Sequence, residues 1–348
     1  MAAEIEPIRA EIDAAIRRVL DAGVLVGGSE IDRFEVALAS RLRTRFARAV
    51  SSGSDALHVI LAALGVGAGH EVVTTPLTFF ATAGSAARLG ARVVFADVDE
   101  ETLTLAPDAA VAACTTHTRA IVPVHLFGHP AALPAVSVPV VEDAAQSVGG
   151  GSLRGIAAAI SFFPTKNLGA LGDAGAVITD DSELADRVTL LRSHGARPKY
   201  HHHVVGGNYR MDAMQAAVLH DKLAHLTRWT AARRTHAERY RAAFAALPDV
   251  RLPADHADHV YHHFVIRVPH RDALQAHLAA AGVETAVYYP APLHLQPCFA
   301  DLGYRRGACP HAEQACDEVL ALPLHPALAP PAQEFVIEQV ARFYGAAA

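Results

Sequence analysis

One lysine stands where covalent chemistry is possible. Lys166 follows an apolar run that ends at Phe163, and only uncharged residues separate it from Asp173. Partial burial in such a segment lowers the pKa of an amine, and a neutral amine can form a Schiff base. The spacing alone leaves an ordinary surface-loop lysine equally open. Lys199 and Lys222 are the only other lysines among 30 lysines and arginines, so a retained lysine is a candidate for work that arginine cannot do.

A carboxylate closes a predicted strand upstream of this lysine. Asp143 follows Val138–Glu142 and precedes Ala144-Ala145-Gln146. A carboxylate in this place can pair with a protonated ring nitrogen, as the pyridinium of pyridoxal phosphate requires. The alternative is a helix N-cap, which is a common use of Asp after a strand.

Two further features suit a phosphorylated, aromatic ligand. Ser52-Gly53-Ser54-Asp55 precedes an apolar helix beginning near Ala56, and helix N-termini favour anions. A Ser-Gly turn that binds nothing is the alternative. Phe79 could lie against an aromatic ring, or it could simply pack in the core.

Other ligand classes find little support in the sequence. His201-His202-His203 could suggest a metal, but three successive residues cannot all face one ion and no ligand lies at matching spacing, so we predict a polar loop. The chain has no Walker lysine motif and no Gly-x-Gly-x-x-Gly, which argues against P-loop and ordinary dinucleotide sites.

The elements around these residues predict an α/β protein with a doubly wound, mostly parallel sheet. Short apolar runs alternate with helical patterns, and the ligands of such sheets lie beyond the carboxyl ends of the strands. We expect an N-terminal helix over residues 1–23, a large domain over 24–247 and a smaller α+β domain over 248–348. The predicted strands of the large domain are 71–75, 92–96, 120–124, 138–142, 158–162 and 174–179. The other predicted elements are helices over 31–42, 212–247 (interrupted near 226–228) and 272–281, and a strand over 261–268.

The composition excludes several classes of protein. The chain has 348 residues, of which 51% are hydrophobic and 19% charged, so it is not a disordered chain. A net charge of -6 without a basic cluster argues against nucleic-acid binding. No apolar stretch reaches the roughly 18 residues of a membrane span. The acidic start and four cysteines without a Cys-x-x-Cys pair predict a reduced, cytoplasmic protein.

Taken in order, eight segments resemble the DegT/DnrJ/EryC1/StrS family of sugar aminotransferases, which are pyridoxal-phosphate enzymes of fold type I. The segments cover nearly the whole chain. They are Ser51-Ser52-Gly53-Ser54-Asp55-Ala56-Leu57, Thr78-Phe79-Phe80-Ala81-Thr82, Pro123-Val124-His125-Leu126-Phe127-Gly128, Glu142-Asp143-Ala144-Ala145-Gln146, Ser161 to Gly172, Leu191-Arg192-Ser193-His194-Gly195, Gly207-Asn208-Tyr209-Arg210-Met211-Asp212 and Tyr289-Pro290-Ala291-Pro292-Leu293-His294.

This resemblance implies roles for the ring-binding residues. Lys166 would form the Schiff base with pyridoxal 5'-phosphate and later move the proton. Asp143 would keep the pyridine nitrogen protonated, Gln146 would bond the 3-oxygen, and Phe79 would stack on the ring.

The resemblance also implies a phosphate site and a substrate site. Gly53, Ser54 and Ser161 would bind the phosphate, with Asp55 also in the cofactor site. Asn208 would reach the phosphate of a neighbouring subunit, which implies a homodimer with shared active sites. Tyr288, His294 and Arg210 are expected to bind the substrate.

The implied activity is transfer of an amino group from glutamate (or glutamine) to a nucleotide-linked 3- or 4-keto-6-deoxy sugar, in deoxysugar biosynthesis for a polysaccharide or an antibiotic. A keto-cyclitol acceptor and a catalytically silent regulatory protein of the same fold are the alternatives. Three features depart from the family pattern: the segments 130–139 and 149–159 are short, and Tyr288 stands where many members have His.

Overall fold

The computed structural model describes residues 2–152 and 154–345, with side chains from residue 4 onward. The helices are α1 Ala2–Ile5, α2 Arg9–Ala22, α3 Ser29–Leu42, α4 Gly53–Ala63, α5 Ala81–Arg88, α6 Pro107–Ala112, α7 Ser182–Leu191, α8 Ala213–Leu223, α9 Leu226–Phe244, α10 Arg271–Ala280, α11 Pro310–Glu318 and α12 Pro330–Phe343. The strands are β1 Phe46–Val50, β2 Glu71–Thr74, β3 Arg92–Phe95, β4 Thr118–Val122, β5 Val141–Asp143, β6 Ala157–Ser161, β7 Gly175–Thr179, β8 Phe264–Arg267 and β9 Val319–Leu322.

The central sheet consists of two groups of strands joined side by side. One group has the order β3-β2-β4 and the other β5-β6-β7-β1, and parallel bridges from Ile121 to Val140 and from Val124 to Asp143 connect them. Strand β7 runs antiparallel to both β6 and β1, whereas the other pairs are parallel. The predicted α/β class with a mostly parallel sheet is therefore confirmed.

Helices cover both faces of this sheet. Successive residues of β6 alternate between two cores: Ala157 and Ala159 pack with α4, whereas Ala158 and Ile160 pack with α2, α3 and α8. All five residues of β6 are buried, as expected for a strand covered on both sides. The carboxyl ends of β5 and β6 consequently open at one edge, where Asp143 and Ser161 lie.

A separate core lies in the C-terminal part of the chain. Strands β8 and β9 pair antiparallel, and their residues pack with α10, α12 and the second half of α9. The division into residues 1–23, 24–247 and 248–348 stays a prediction, and α9 contributes to this C-terminal core before residue 247. None of the helices within residues 2–152 and 154–345 has both the length and the apolar character needed to cross a membrane.

One predicted element boundary matches the structure, and two others differ from it. Gly23 ends α2 in the left-handed conformation (φ 67°), as the sequence indicated. The strand predicted over 138–142 is shorter, covering Val141–Asp143, since Pro139 has no N–H to donate to a neighbouring strand. The interruption of the long predicted helix lies at residues 224–225, between α8 and α9.

Candidate active site

Asp143 lies at the end of β5 with its carboxylate enclosed by protein. It is 5% exposed and accepts hydrogen bonds from Thr82 Oγ1 at 2.7 Å and from the Ala145 amide at 3.1 Å. Burial raises the pKa of Asp143, while these two donors and the charge of Lys166 act in the opposite direction. No arginine or lysine within residues 2–152 and 154–345 forms an ion pair with it, so a cationic ligand would supply the missing compensation.

Lys166 occupies a turn that follows β6. Its amide donates to the Phe163 carbonyl at 2.8 Å, and the side chain is partly buried. Burial lowers the pKa of Lys166 to about 8, and the Asp143 carboxylate limits that decrease. A substantial fraction of the amine is therefore neutral near physiological pH, which is the form that attacks an aldehyde.

A helix N-terminus and a strand end meet beside this pair. Helix α4 begins at Gly53, and Ser52 Oγ accepts the Asp55 amide at 3.0 Å as the N-cap. A Cβ at position 53 would lie 2.7 Å from Ser161 Cβ, so only glycine permits this approach. First-turn amides of a helix lack intrahelical partners, and those of Gly53 and Ser54 together with the Ser161 hydroxyl can bind a phosphate.

The Asp55 carboxylate is committed to local contacts. It accepts a hydrogen bond from Ser51 Oγ at 2.6 Å, and Arg88 lies 3.8 Å away. These contacts assign Asp55 to the support of the α4 N-terminus. A direct contact with the cofactor stays a prediction.

Gln146 is oriented by a backbone amide. Its Oε1 accepts the Phe127 N–H at 2.5 Å, and its Nε2 lies 3.4 Å from the Tyr289 hydroxyl. The NH₂ group is therefore available as a donor for a ligand oxygen. Phe79 is 60% exposed, and its ring centroid lies 6.5 Å from that of Tyr289, so an aromatic ligand would remove an exposed apolar surface from water.

The residues expected to contact a substrate or a second subunit occupy different settings. Asn208 is exposed, and with Arg210, Ser51 and Asp173 it lines a cavity of about 360 Å³. Within the described residues Arg210 Nε is buried without a hydrogen-bond partner. The roles of Asn208 and Arg210 stay predictions.

The side chains of Tyr288 and His294 have different surroundings. The Tyr288 ring stacks on His263 with centroids 4.3 Å apart. His294 is 1% exposed and its Nε2 lies 3.1 Å from Glu313 Oε1, between the rings of Phe95 and Tyr304. A substrate contact by His294 therefore stays a prediction, and in this structure its ring is engaged by protein.

Several residues near Lys166 were not predicted from the sequence. Thr82 belongs to one of the motifs, but its hydrogen bond to Asp143 was not predicted. Asn167 Oδ1 lies 3.1 Å from His262 Nδ1, and His262 is fully enclosed with its pKa well below the ordinary value because of burial and the charges of His263 and Lys166. The adjacent pairs His262-His263 and Tyr288-Tyr289 were the available signals, but only the fold brings them to Lys166.

The three consecutive histidines lie in an exposed loop. His202 Nδ1 lies 2.8 Å from the His194 carbonyl, and His203 Nε2 lies 2.6 Å from the Arg197 carbonyl. Across residues 2–152 and 154–345, no group of three His, Cys, Asp or Glu side chains is arranged to bind a metal ion.

The chain is similar to known proteins along nearly its whole length. The family described as the DegT/DnrJ/EryC1/StrS aminotransferase family matches residues 6–341. A protein of Geobacillus stearothermophilus named "Pleiotropic regulatory protein" is 46% identical, over 98% of this chain and 96% of its own. The "dTDP-3-amino-3,4,6-trideoxy-alpha-D-glucose transaminase" of Streptomyces venezuelae is 42% identical, over 97% of this chain and 93% of its own.

The crystal structure of S. venezuelae DesV in complex with a ketimine intermediate has a TM-score of 0.96 and 41% identity, and the match covers 99% of this chain and 97% of that one. The chain therefore belongs to the DegT/DnrJ/EryC1/StrS aminotransferase family and is a pyridoxal-phosphate-dependent aminotransferase of fold type I.

Proposed function

We propose that this enzyme moves an amino group from L-glutamate (or glutamine) to a nucleotide-linked 3- or 4-keto-6-deoxy sugar. The observation that carries the proposal is the partly buried Lys166 amine beside the enclosed Asp143 carboxylate. The acceptor class rests on the names of relatives, among them the dTDP-amino-sugar transaminase of S. venezuelae.

Each residue of the site has a defined task in this reaction. When bound, the cofactor supplies an electron sink for the carbon that loses a proton. Asp143 would bind the protonated ring nitrogen, and Gln146 Nε2 would donate to the ring oxygen. The amides of Gly53 and Ser54 and the hydroxyl of Ser161 would bind the phosphate, with Phe79 covering the ring.

Lys166 is the group that moves protons. Because burial lowers its pKa to about 8, the neutral amine can accept a proton from the amine-bearing carbon of glutamate near neutral pH. The protonated amine would deliver that proton to C4′ of the cofactor, which completes the glutamate half. In the acceptor half the same amine would take a proton from C4′ and deliver it to the sugar carbon that receives the amino group. One lysine thus serves both halves.

We further propose a cytoplasmic homodimer in which Asn208 reaches the phosphate site of the partner copy. Asn208 is exposed in the single chain, and several large apolar side chains are exposed as well, among them Leu25, Val26, Phe79, Phe80, Phe163, Leu171, Tyr200, Val204 and Val205. Such a surface favours coverage by another protein chain. All four cysteines are free thiols, which fits a reducing compartment.

A keto-cyclitol acceptor is the second candidate, since it presents the same ketone to the same amine. A regulatory role, suggested by the name of the Geobacillus relative, has no observation in its favour here, because a protein without catalysis has no need of an amine with a pKa of about 8 beside a buried carboxylate.

The test is a two-stage assay of the purified protein loaded with pyridoxal phosphate. Glutamate alone should convert the cofactor's visible absorption to that of its amine form, and a panel of nucleotide-linked keto sugars and keto-cyclitols should then restore it, with products identified by mass. Lys166→Ala is the negative control and Lys199→Ala the matched control. Absence of any response to amino donors, or identical behaviour of Lys166→Ala, would contradict the proposal.

A further inference from the structure

His263 lies close enough to Lys166 for the charge of the lysine to affect the imidazole. It directly precedes β8, its side chain is half-buried, and its amide donates to the Phe127 carbonyl at 3.3 Å. Its ring stacks on Tyr288 at 4.3 Å with an interplanar angle of 24°, and the Phe127 ring meets it edge-on at 6.3 Å. The backbone contact and the two aromatic neighbours therefore fix the orientation of this imidazole.

The His263 ring belongs to a series of side-chain contacts that begins beside Lys166. Asn167, next to Lys166, bonds His262, whose ring lies 4.0 Å from that of His263. On the other side, Tyr288 lies 5.9 Å from Tyr289, which reaches Gln146. His263 is thus placed between the lysine turn and the residues that border the proposed ring site.

The ring nitrogens of His263 are available to a ligand. Within residues 2–152 and 154–345 neither nitrogen has a hydrogen-bond partner, and neither is closed off as a buried unpaired atom. Burial, followed by the charges of Lys166 and Arg233, lowers the pKa of His263 to about 3. A neutral imidazole carries one donor and one acceptor, which matches a hydroxyl group rather than an anion.

The charged groups described near His263 are not free to pair with a carboxylate of a ligand bound beside this ring. Arg233 is 4% exposed and donates to the carbonyls of Tyr261, His262 and Leu324. Lys166 is assigned to the cofactor, and Asp143 is itself negative. A carboxylate placed against His263 would be desolvated without compensation.

We propose that His263, stacked on Tyr288, is a specificity-determining residue that binds an uncharged hydroxyl of the sugar acceptor and disfavours an acceptor with a carboxylate at that place. The inference rests on the proposed function and deepens it. It assigns the acceptor to neutral hexose derivatives rather than uronates, and it places this contact in the acceptor half of the reaction.

The first experiment compares His263→Leu and His263→Gln with the wild type, with His311→Leu as a control at an exposed histidine. Loss of one neutral hydrogen bond should raise the acceptor KM of His263→Leu about tenfold. The rate of cofactor conversion by glutamate should fall far less, and His263→Gln, which keeps a donor and an acceptor, should recover most of the acceptor KM. Equal losses in both halves, or no rescue by Gln, would overturn the assignment.

A second measurement is independent of turnover. Binding of dTDP-glucose to the protein loaded with the amine form of the cofactor should weaken about tenfold in His263→Leu. In His263→Arg, binding of UDP-glucuronate should strengthen relative to UDP-glucose. Equal binding of dTDP-glucose by wild type and His263→Leu, or binding by neither, overturns the inference. If the wild type binds dTDP-glucose through His263 but aminates no nucleotide sugar, only the proposed function fails.

Discussion

Lys166 and Asp143 influence each other's protonation, and this coupling can be measured. Asp143 raises the pKa of Lys166 against the larger effect of burial, so Asp143→Asn should lower that pKa below its value of about 8. The chain has only three lysines, so ¹³C-dimethylated, cofactor-free protein should give three resolvable lysine signals whose shifts can be titrated with pH. Turnover should collapse in the same variant, because the ring nitrogen loses its anionic partner.

The control for this titration is Asp186→Asn, an exposed carboxylate on α7. It should leave the Lys166 midpoint unchanged. A Lys166 midpoint that rises in Asp143→Asn, or near-normal turnover by that variant, would contradict the assigned pairing.

At this scale the sequence predicted the identity of the main groups but not their supports. Lys166, Asp143 and Gln146 stand in local motifs whose resemblance to the family implies their roles, whereas spacing alone left a surface-loop lysine and a helix N-cap open. The contact between Asn167 and His262 joins residues 95 positions apart. Local spacing carries no information about such a contact, which depends on how the C-terminal elements pack on the lysine turn.

At the scale of elements, one carboxylate connects both of the shortened segments to β5. Glu142 is 2% exposed; its Oε2 lies 2.9 Å from His125 Nε2, and its Oε1 accepts the amides of Arg154 and Gly155, each at 2.7 Å. His125 Nδ1 accepts the Ala131 amide at 3.0 Å, so the ring proton is on Nε2 and points to Glu142. Arg154 also donates to the Ala131 carbonyl at 2.7 Å. These bonds hold both segments against β5.

Glu142→Gln should therefore destabilise the protein by about 1–3 kcal/mol, measured by urea unfolding at pH 7. Burial raises the pKa of Glu142, but the bonds and charge of His125 and the two amides outweigh burial, so the pKa lies below its ordinary value of 4.5. A lowered pKa in the folded state contributes stability above pH 4.5 that is lost as pH falls through the folded value. The difference between wild type and variant should shrink in that acidic window, and Glu183→Gln on α7 should show no such difference.

Helix α8 supports the lysine turn through a second lysine. Lys222 is 8% exposed, its Nζ donates to the Gly169 carbonyl, and it lies 5.8 Å from the Trp229 ring centroid. Lys222→Met should keep most of the packing but leave that carbonyl without its donor, which weakens the turn by about 1–3 kcal/mol. Cofactor dissociation should accelerate more than in Lys199→Met. Unchanged dissociation and unchanged unfolding would show that the contact is dispensable.

The elements also show where sequence patterns stop being sufficient. The antiparallel pairing of β1 with β7 was not predicted, because Arg48 interrupts the apolar run of Phe46–Val50 and so weakens the pattern of a buried strand. Arg48 is accommodated by a bond from its Nε to Thr189 at 2.8 Å and by Glu35 at 3.7 Å. Only the neighbouring helices make a charged residue acceptable there.

At the scale of the whole molecule, the exposed apolar side chains and the exposed Asn208 predict association with a second copy of the chain. Val205 is 99% exposed and Tyr200 77%, whereas Leu25 is 54% exposed close to the 207–212 segment, since its carbonyl accepts the Ala213 amide at 3.0 Å. Burying such side chains against a second copy stabilises a dimer by roughly 25 cal/mol per Å² of apolar area. A charge introduced there would have to be desolvated on association.

The double variant Leu25→Glu, Val205→Glu should therefore shift the mass measured by light scattering from dimer to monomer at micromolar concentration. Because Asn208 is proposed to reach the partner's phosphate site, the monomer should also bind pyridoxal phosphate more weakly, and raising the protein concentration should restore both properties together. Val36→Glu, at a position 72% exposed on α3, is the matched control and should leave mass and cofactor affinity unchanged. A fully active monomer would separate the active site from the second subunit and remove the role assigned to Asn208.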